Sequence, residues 1–394
     1  MKTAISEAEE IATPCYCYDM DLLSRTLDEI NSCMEGYPYS AHYAVKANGN
    51  PEILRTVARA GFGADCVSGG EIRAAIECGF APETISYAGV GKTDREIRYG
   101  IEAGIGAFNV ESVEELEIIA GIARECGRRA RVLFRINPDI DAHTHHYITT
   151  GIAENKFGID MRRLDYAIGI VLASPELEFR GLHFHIGSQI TTMEPFELLC
   201  QRIMELQARV EAAGLEVKVI DVGGGLGIEY EDPDAAPIAD FRSYFDVFKH
   251  HLPLREGQSL CFEPGRSVVA QCGSLLTRVI YVKHGIGKKF LIVDGGMSDL
   301  LRPALYGAHH AIENLSAARR GETATEIYDV VGPICESADI FARDERMPVS
   351  RRGDLIAFRS AGAYGESMAS NYNMRSLPGS VYIRGDKTCV AKRR

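Results

Sequence analysis

Lys46 lies in the run His42-Tyr43-Ala44-Val45-Lys46-Ala47-Asn48, which reads as a β-strand entering a loop. Strand side chains alternate between faces, so His42, Ala44 and Lys46 share one. If that face lines a closed sheet, Lys46 sits at its mouth in a desolvated setting, which favours a neutral amine able to form a Schiff base with an aldehyde. The competing reading is a strand-end lysine reaching out to water, and the lysine alone favours it. Asp221-Val222-Gly223-Gly224-Gly225-Leu226-Gly227 follows another strand. Consecutive glycines let backbone N–H groups close on an anion, usually a phosphate, although a plain tight turn uses the same residues. Ile228 breaks the G-x-G-x-x-G spacing, so no dinucleotide fingerprint is present.

Glu263-Pro264-Gly265-Arg266 ends a third strand. A carboxylate there could pair with a pyridinium nitrogen and keep the ring an electron sink. Arg266 could fork onto a phosphate or carboxylate. A surface Glu–Arg pair across a turn is the plainer alternative. His183 and His185 share a strand face ahead of Gly187-Ser188. His185, at the strand end, can stack on a flat cofactor, and Ser188 can bond phosphate, whereas the deeper His183 reads as a hydrogen-bonded core histidine. His143, His145 and His146 lack cysteine or carboxylate partners at ligand spacing, so they read as a polar loop and no metal is expected. Gly89-Val90-Gly91-Lys92-Thr93 looks like the end of a P-loop, but Ser86 stands where that motif needs glycine. The only Walker-B-like aspartate, Asp294, lies far off in a β-rich region, which leaves nucleotide hydrolysis a remote reading.

These residues need a frame that gathers strand ends. Strand-like runs occur at 41–45, 64–67, 85–88, 106–110, 132–136, 182–186, 217–222 and 260–263, with helical patterns between them, among them 51–60, 71–78, 112–126 and 194–213. Alternating strands and helices predict a parallel α/β architecture, and eight strands are the number that closes a (β/α)8 barrel. The C-terminal ends of the strands carry polar or glycine residues: Lys46, Asp65, Gly89, Asn109, Asn137, His185, Gly223 and Glu263. That favours a barrel, whose chemistry sits at the strand C-termini, over an open doubly wound sheet with one switch point. Beyond Arg266 the short strand-like runs 268–282, 289–293, 327–331, 355–360 and 380–384 predict a C-terminal β-rich domain. The run 14–19 could add a strand to it. The expected division is 1–28 as an N-terminal segment lending that strand, 29–266 as the barrel and 267–394 as a β-sandwich or barrel-like domain.

A length of 394 residues suits two domains, and 46% hydrophobic with 25% charged residues is ordinary globular composition. A net charge of −12 argues against a nucleic-acid surface. The N-terminal ten residues lack the apolar stretch of a signal peptide, and no apolar run is long enough to span a bilayer. Eleven scattered cysteines without a CxxC pair read as reduced thiols. The expectation is a soluble cytoplasmic protein.

Taken in order, Tyr43–Asn48, Gly63-Ala64-Asp65-Cys66-Val67-Ser68-Gly69-Gly70-Glu71, His183–Gln189, the triple glycine and Glu263–Arg266 resemble the fold-type III decarboxylases that use pyridoxal 5′-phosphate (PLP). Cys335-Glu336-Ser337 and Ala363-Tyr364-Gly365-Glu366 narrow the resemblance to the diaminopimelate decarboxylase branch. It implies decarboxylation of meso-2,6-diaminopimelate to L-lysine, the last step of lysine biosynthesis. In this resemblance Lys46 carries PLP, His185 stacks on its ring, Glu263 meets its nitrogen and Asp65 lies nearby. Ser188, Gly224, Gly225, Gly227, Gly265, Arg266 and Tyr364 surround the phosphate. Arg266, Arg302 and Tyr306 hold the substrate's distal carboxylate, with Tyr364 also near the substrate, and Glu336 holds its distal ammonium. Cys335 protonates the α-carbon and comes from the second subunit of a homodimer. From the residues alone, Cys335 reads as a buried small hydrophobe and Arg302 as a surface cation. The alternatives are a related decarboxylase of ornithine, lysine, arginine or carboxynorspermidine, or a non-catalytic PLP-binding regulatory protein.

Overall fold

The computed structural model describes residues 11–138, 156–385 and 387–390; the expected histidine loop at 143, 145 and 146 lies outside them. The chain forms two compact units: one holds Leu27–Gly227 and Asp240–Gly265, the other the described residues up to Thr26, Ile228–Ala239 and those from Arg266 onward.

After β1 (Cys15–Asp19), which belongs to the second unit, come β2 (Tyr39–Ala44), β3 (Gly63–Cys66), β4 (Ile85–Tyr87), β5 (Ala107–Val110), β6 (Ala130–Arg135), β7 (Leu177–His183), β8 (Val219–Asp221) and β9 (Ser259–Phe262). They pair in parallel in chain order, and β9 pairs with β2 to close the barrel. β3, β4 and β5 are buried along their whole length, as strands must be when side chains fill one face and helices cover the other.

The intervening helices start and stop where their residues dictate. Asn50 caps Pro51–Arg59, which opens on proline. Thr93 and Glu96 form a capping box on Asp94–Ala103, and left-handed Gly104 ends that helix. Ser112 and left-handed Gly127 bracket Val113–Cys126. Helices Glu194–Ala212 and Phe241–His251 carry Phe196, Tyr244, Phe245 and Phe248, and Phe262 of β9 lies 4.4 Å from Phe245 and 5.1 Å from Phe248. Aromatic pairs of this kind are worth about 0.5–1.5 kcal/mol each beyond their burial. They anchor the residue just before Glu263.

Most barrel strands end one residue before the expected position, and the ends of β2 and β7 bear on the site. β2 stops at Ala44 and a 3-10 turn, Val45–Ala47, follows. β7 starts earlier than the run 182–186 and ends at His183, so His185 lies past the strand. In both places neighbouring loops supply the backbone partners: Ala44 N–H donates to the Pro264 carbonyl at 3.1 Å, and Ile190 N–H to that of Gly225 at 2.9 Å.

The second unit is a sheet ordered β14-β13-β11-β10-β1-β16-β17, with β15 on β10 and β12 on β15. Its strands are β10 (Gly273–His284), β11 (Lys289–Val293), β12 (Ile312–Asn314), β13 (Thr325–Val331), β14 (Ile340–Pro348), β15 (Leu355–Phe358), β16 (Gly379–Arg384) and β17 (Lys387–Val390). β1 lies between antiparallel β10 and parallel β16, as the early run predicted. The expected strand 268–282 begins instead with a short helix, Arg266–Val269. β14 escaped the sequence reading because it is a charged edge strand, IFARDERMP, where charge guards an open edge. Ile228–Ala239, placed by sequence within the run 29–266, is grouped with this unit. Gln271 donates to the Ala236 carbonyl there, and Arg359 holds Asp234 at 2.8 Å. Among the described residues no helix is long and apolar enough to cross a membrane.

Glu71, in the first turn of helix Gly69–Glu77, accepts from Val67 N–H at 2.7 Å. Burial, with Asp65 nearby, pushes its carboxyl up from 4.5 to about 7 despite that hydrogen bond. A carboxyl raised on folding contributes stability that is complete below the unfolded value and lost as pH rises through the folded one. Wild-type stability should therefore fall relative to Glu71→Gln between about pH 4.5 and 7. The expected drop is at most about 3 kcal/mol, read by denaturant unfolding at stepped pH; parallel curves for the two proteins would refute it.

Candidate active site

The sequence places Lys46 just past a strand at the barrel mouth in a desolvated setting; the structure keeps the position and corrects the setting. The 3-10 turn after β2 carries Lys46 to the barrel rim, where its side chain is 40% exposed and its Nζ lies 3.1 Å from Asp65 Oδ2. Asp65 is buried, and its Oδ1 has no hydrogen-bond partner among the described residues. Burial and the charge of Glu263 raise the Asp65 carboxyl while Lys46 lowers it.

Glu263 follows β9 and points into the same rim. Asn109 Nδ2 donates to its Oε1 at 3.2 Å, and His183 Nε2 lies 3.0 Å from its Oε2. Burial by itself would raise this carboxyl; His183, Lys46 and a hydrogen bond from Asp221 outweigh burial and hold it well below the usual carboxylate range. Asp221 moves the other way. Burial and then the Glu263 charge push it up. The donor atoms of His183, Asp221 and Glu263 lie within 4.8 Å of one another, knit by these hydrogen bonds. His183 is thus a buried, hydrogen-bonded histidine, and its partner is Glu263.

His185 sits beyond β7 with Nδ1 accepting from Gly224 N–H at 3.3 Å. Burial, then Arg135 and Lys46, keep this ring neutral. The glycine run is forced by space. Gly223 adopts φ +69° and a Cβ there would meet the Phe184 carbonyl at 2.3 Å; a Cβ on Gly224 would meet the Glu263 carbonyl at 2.3 Å. Ile190 and Leu226 form a bridge that ties the Ser188 loop to the glycine loop, with Gly227 N–H donating to the Ile190 carbonyl at 2.8 Å. Gly265 packs so closely on Ala44 that a Cβ would lie 2.9 Å from the alanine methyl.

This rim suits PLP on its own chemistry. It offers an amine beside a carboxylate with an unused oxygen, a buried ionised glutamate for a ring nitrogen, a neutral imidazole and a side-chain-free loop. Lys92 does something else: it is buried, and its Nζ donates to the Gly89 and Asn109 carbonyls and to Glu115 Oε1 at 2.6 Å, so the P-loop-like lysine is spent holding two rim loops together. Asp294, the Walker-B-like residue, accepts from Thr13 Oγ1 and from Arg278 N–H.

In the other unit Arg266 and Arg302 are each only 7% exposed, which removes the surface-cation reading of Arg302. Arg302 opens the short helix Arg302–Tyr306, and Arg266 stands over the ring of Tyr364, which adopts φ +56°. Cys335 and Glu336 are exposed, so Cys335 is not a buried small hydrophobe. Asn373 Oδ1 accepts from Cys335 N–H at 3.0 Å. Sequence reasoning overlooked Asp221, Tyr230 and His310. The position of Asp221 at the head of the glycine run is a usable signal for it; nothing local marks the other two.

Residues 20–270 match the family described as "Pyridoxal-dependent decarboxylase, pyridoxal binding domain". A diaminopimelate decarboxylase of Bacteroides thetaiotaomicron is 54% identical over 95% of this chain and 96% of its own. One from Zymomonas mobilis is 42% identical over 98% and 91%. The crystal structure of diaminopimelate decarboxylase from Helicobacter pylori complexed with L-lysine superposes with a TM-score of 0.91 at 39% identity, covering 98% of this chain and 95% of that one. With its closed barrel, β-rich second unit and this rim of residues, the chain belongs to the diaminopimelate decarboxylase family of PLP-dependent decarboxylases.

Proposed function

We propose that this protein removes CO₂ from meso-2,6-diaminopimelate to yield L-lysine, as a PLP-dependent carboxy-lyase of lysine biosynthesis. The observation that carries the reading is the rim itself: Lys46 paired with Asp65 beside a Glu263 kept ionised while fully buried. PLP, when bound, supplies the electron sink for the pair left behind by departing CO₂. Lys46 holds the cofactor covalently. Glu263 keeps the ring nitrogen charged, with Asp221 and His183 locking the glutamate in its ionised form. Neutral His185 offers a flat face for stacking. Ser188, Gly224, Gly225, Gly227, Gly265, Arg266 and Tyr364 enclose the phosphate.

Arg266, Arg302 and Tyr306 hold the distal carboxylate, Glu336 holds the distal ammonium, and Cys335 Sγ gives its proton to the α-carbon. The exposure of Cys335 and Glu336 supports their service in the site of a second subunit of a homodimer. Met374 and Tyr372, at 98% and 47% exposure, flank Asn373, the partner of Cys335, with apolar surface suited to such an interface. The enzyme works in the cytoplasm, where its thiols stay reduced; the described cysteines are all free.

Purified protein with PLP should release CO₂ and L-lysine from meso-diaminopimelate and leave ornithine, lysine and arginine untouched; turnover of those three in preference would overturn the assignment. Lys46→Ala should abolish the absorbance of bound PLP together with activity, and retained activity would refute covalent attachment there. His183→Leu, which strips a partner from the buried Glu263 carboxylate, should cut kcat at least tenfold and weaken PLP retention, since unpaired buried charges cost about 3–5 kcal/mol. For the shared site, Lys46→Ala and Cys335→Ala variants, each inactive, should partly restore activity after subunit exchange. Exchange without recovery would place both residues in one subunit's site.

A further inference from the structure

Arg302 is a buried guanidinium with no carboxylate within ion-pair distance among the described residues. Two groups take the place of a counter-ion. Its Nη1 lies 2.9 Å from His310 Nε2, and its guanidinium stands over the Tyr230 ring with Cζ 5.1 Å from the centroid. Tyr230 also reaches the second arginine: Arg266 Nη1 donates to its hydroxyl at 2.8 Å. One tyrosine therefore touches both cations, by its face and by its oxygen.

The tautomer of His310 follows from its partners. Its Nδ1 lies 2.9 Å from the Arg359 carbonyl, which can only accept, so Nδ1 carries the hydrogen and Nε2 presents a lone pair to Arg302. Burial, then the positive charges of Arg302 and Arg266, push this imidazole down to about 3, so it stays neutral at any working pH. The Tyr230 ring meets it edge-on at 5.4 Å. Arg359 itself is pinned by Asp234 at 2.8 Å and by Glu313, which fixes both its carbonyl and the Ile228–Ala239 segment carrying Tyr230. The frame holds two like charges close together without neutralising Arg302. Burying a charge is tolerable only with compensation, and neutral acceptors compensate in part. A carboxylate completes the arrangement through forked, charge-assisted hydrogen bonds.

We infer that Tyr230 and His310 are positioning residues that hold Arg266 and Arg302 as a two-arginine clamp for the carboxylate that the substrate keeps, and thereby set the preference for an amino acid product over a diamine. The inference rests on the proposed substrate, whose product L-lysine retains that carboxylate while 1,5-diaminopentane has none.

The test compares binding of L-lysine and 1,5-diaminopentane to PLP-loaded wild type, Tyr230→Phe, His310→Phe and His310→Gln by calorimetry. Tyr230→Phe keeps the ring under Arg302 and removes only the oxygen, so folding should survive; PLP absorbance and melting temperature confirm it. Tyr230→Phe and His310→Phe should bind L-lysine about tenfold more weakly, the scale of one hydrogen bond to a charged group, with diamine binding unchanged. His310→Gln, which restores an acceptor, should recover most of the affinity. In turnover, KM for meso-diaminopimelate should rise about tenfold with kcat nearly constant, the mark of lost uniform binding. Variants that bind L-lysine as well as wild type, or that lose both ligands alike, would overturn the inference and leave the reaction assignment standing. Wild-type protein that neither binds L-lysine nor turns over meso-diaminopimelate would overturn both.

Discussion

Holding Glu263 as a carboxylate inside the barrel is the constraint around which the rim is organised. A lone carboxylate so buried would take up a proton, because transfer out of water penalises the charged form by several kcal/mol. His183 at 3.0 Å, the Lys46 charge and a hydrogen bond from Asp221 oppose this, and the Asn109 amide donates at 3.2 Å. His183, Asn109 and Asp221 come from three different strands, β7, β5 and β8, so the charge is supported only in a closed barrel whose register sets these ends side by side. Phe262, one residue earlier and facing the opposite way, is gripped by the aromatic cluster of two helices. Packing on the outside of β9 thus sets the position of a charge on the inside.

The same economy governs the loops of the rim. Glu111 accepts from Gly89 N–H at 2.9 Å, Gly158 N–H at 2.8 Å and Arg135 at 2.6 Å, joining loops that leave three strands. Burial would raise its carboxyl, and Arg135 with Lys92 more than reverses that. Buried ion pairs of this sort add little net stability over apolar packing, but they are costly to break and specific in geometry. They suit a rim that must keep backbone amides and side chains in fixed places without a regular ladder to hold them. In the β-rich unit the logic is reversed: Arg302 is held by a tyrosine face and a neutral histidine in place of an acid. That leaves its charge available to an incoming carboxylate.

Much of the fold was legible in the chain because the governing signals are local. Strand-length apolar runs alternating with capped helices give the (β/α)8 count, and Asn50, Thr93, Gly104 and Gly127 mark helix boundaries through their own hydrogen-bonding and backbone chemistry. β14 was missed because an edge strand rich in Arg, Asp and Glu carries no apolar alternation to read. The 3-10 turn that carries Lys46 was not foreseen because it has no signature distinct from a strand end.

The amino-acid sequence by itself determined the order of the elements, the glycines that must lie in the β8 loop and the set of ionisable residues at the strand ends, since each depends on a residue's own geometry or on neighbours a few positions away. Only the tertiary structure decided which of those groups are charged. Asp221 and Glu263 are both buried acids at the ends of adjacent strands, yet burial and the Glu263 charge push Asp221 up while His183 and Lys46 pull Glu263 down. Tyr230, His310 and Arg302 likewise become one cluster only through folding. Tyr230 reaches Arg302 and His310 across about 72 and 80 positions of chain, and no local pattern records an energy that depends on distance in space.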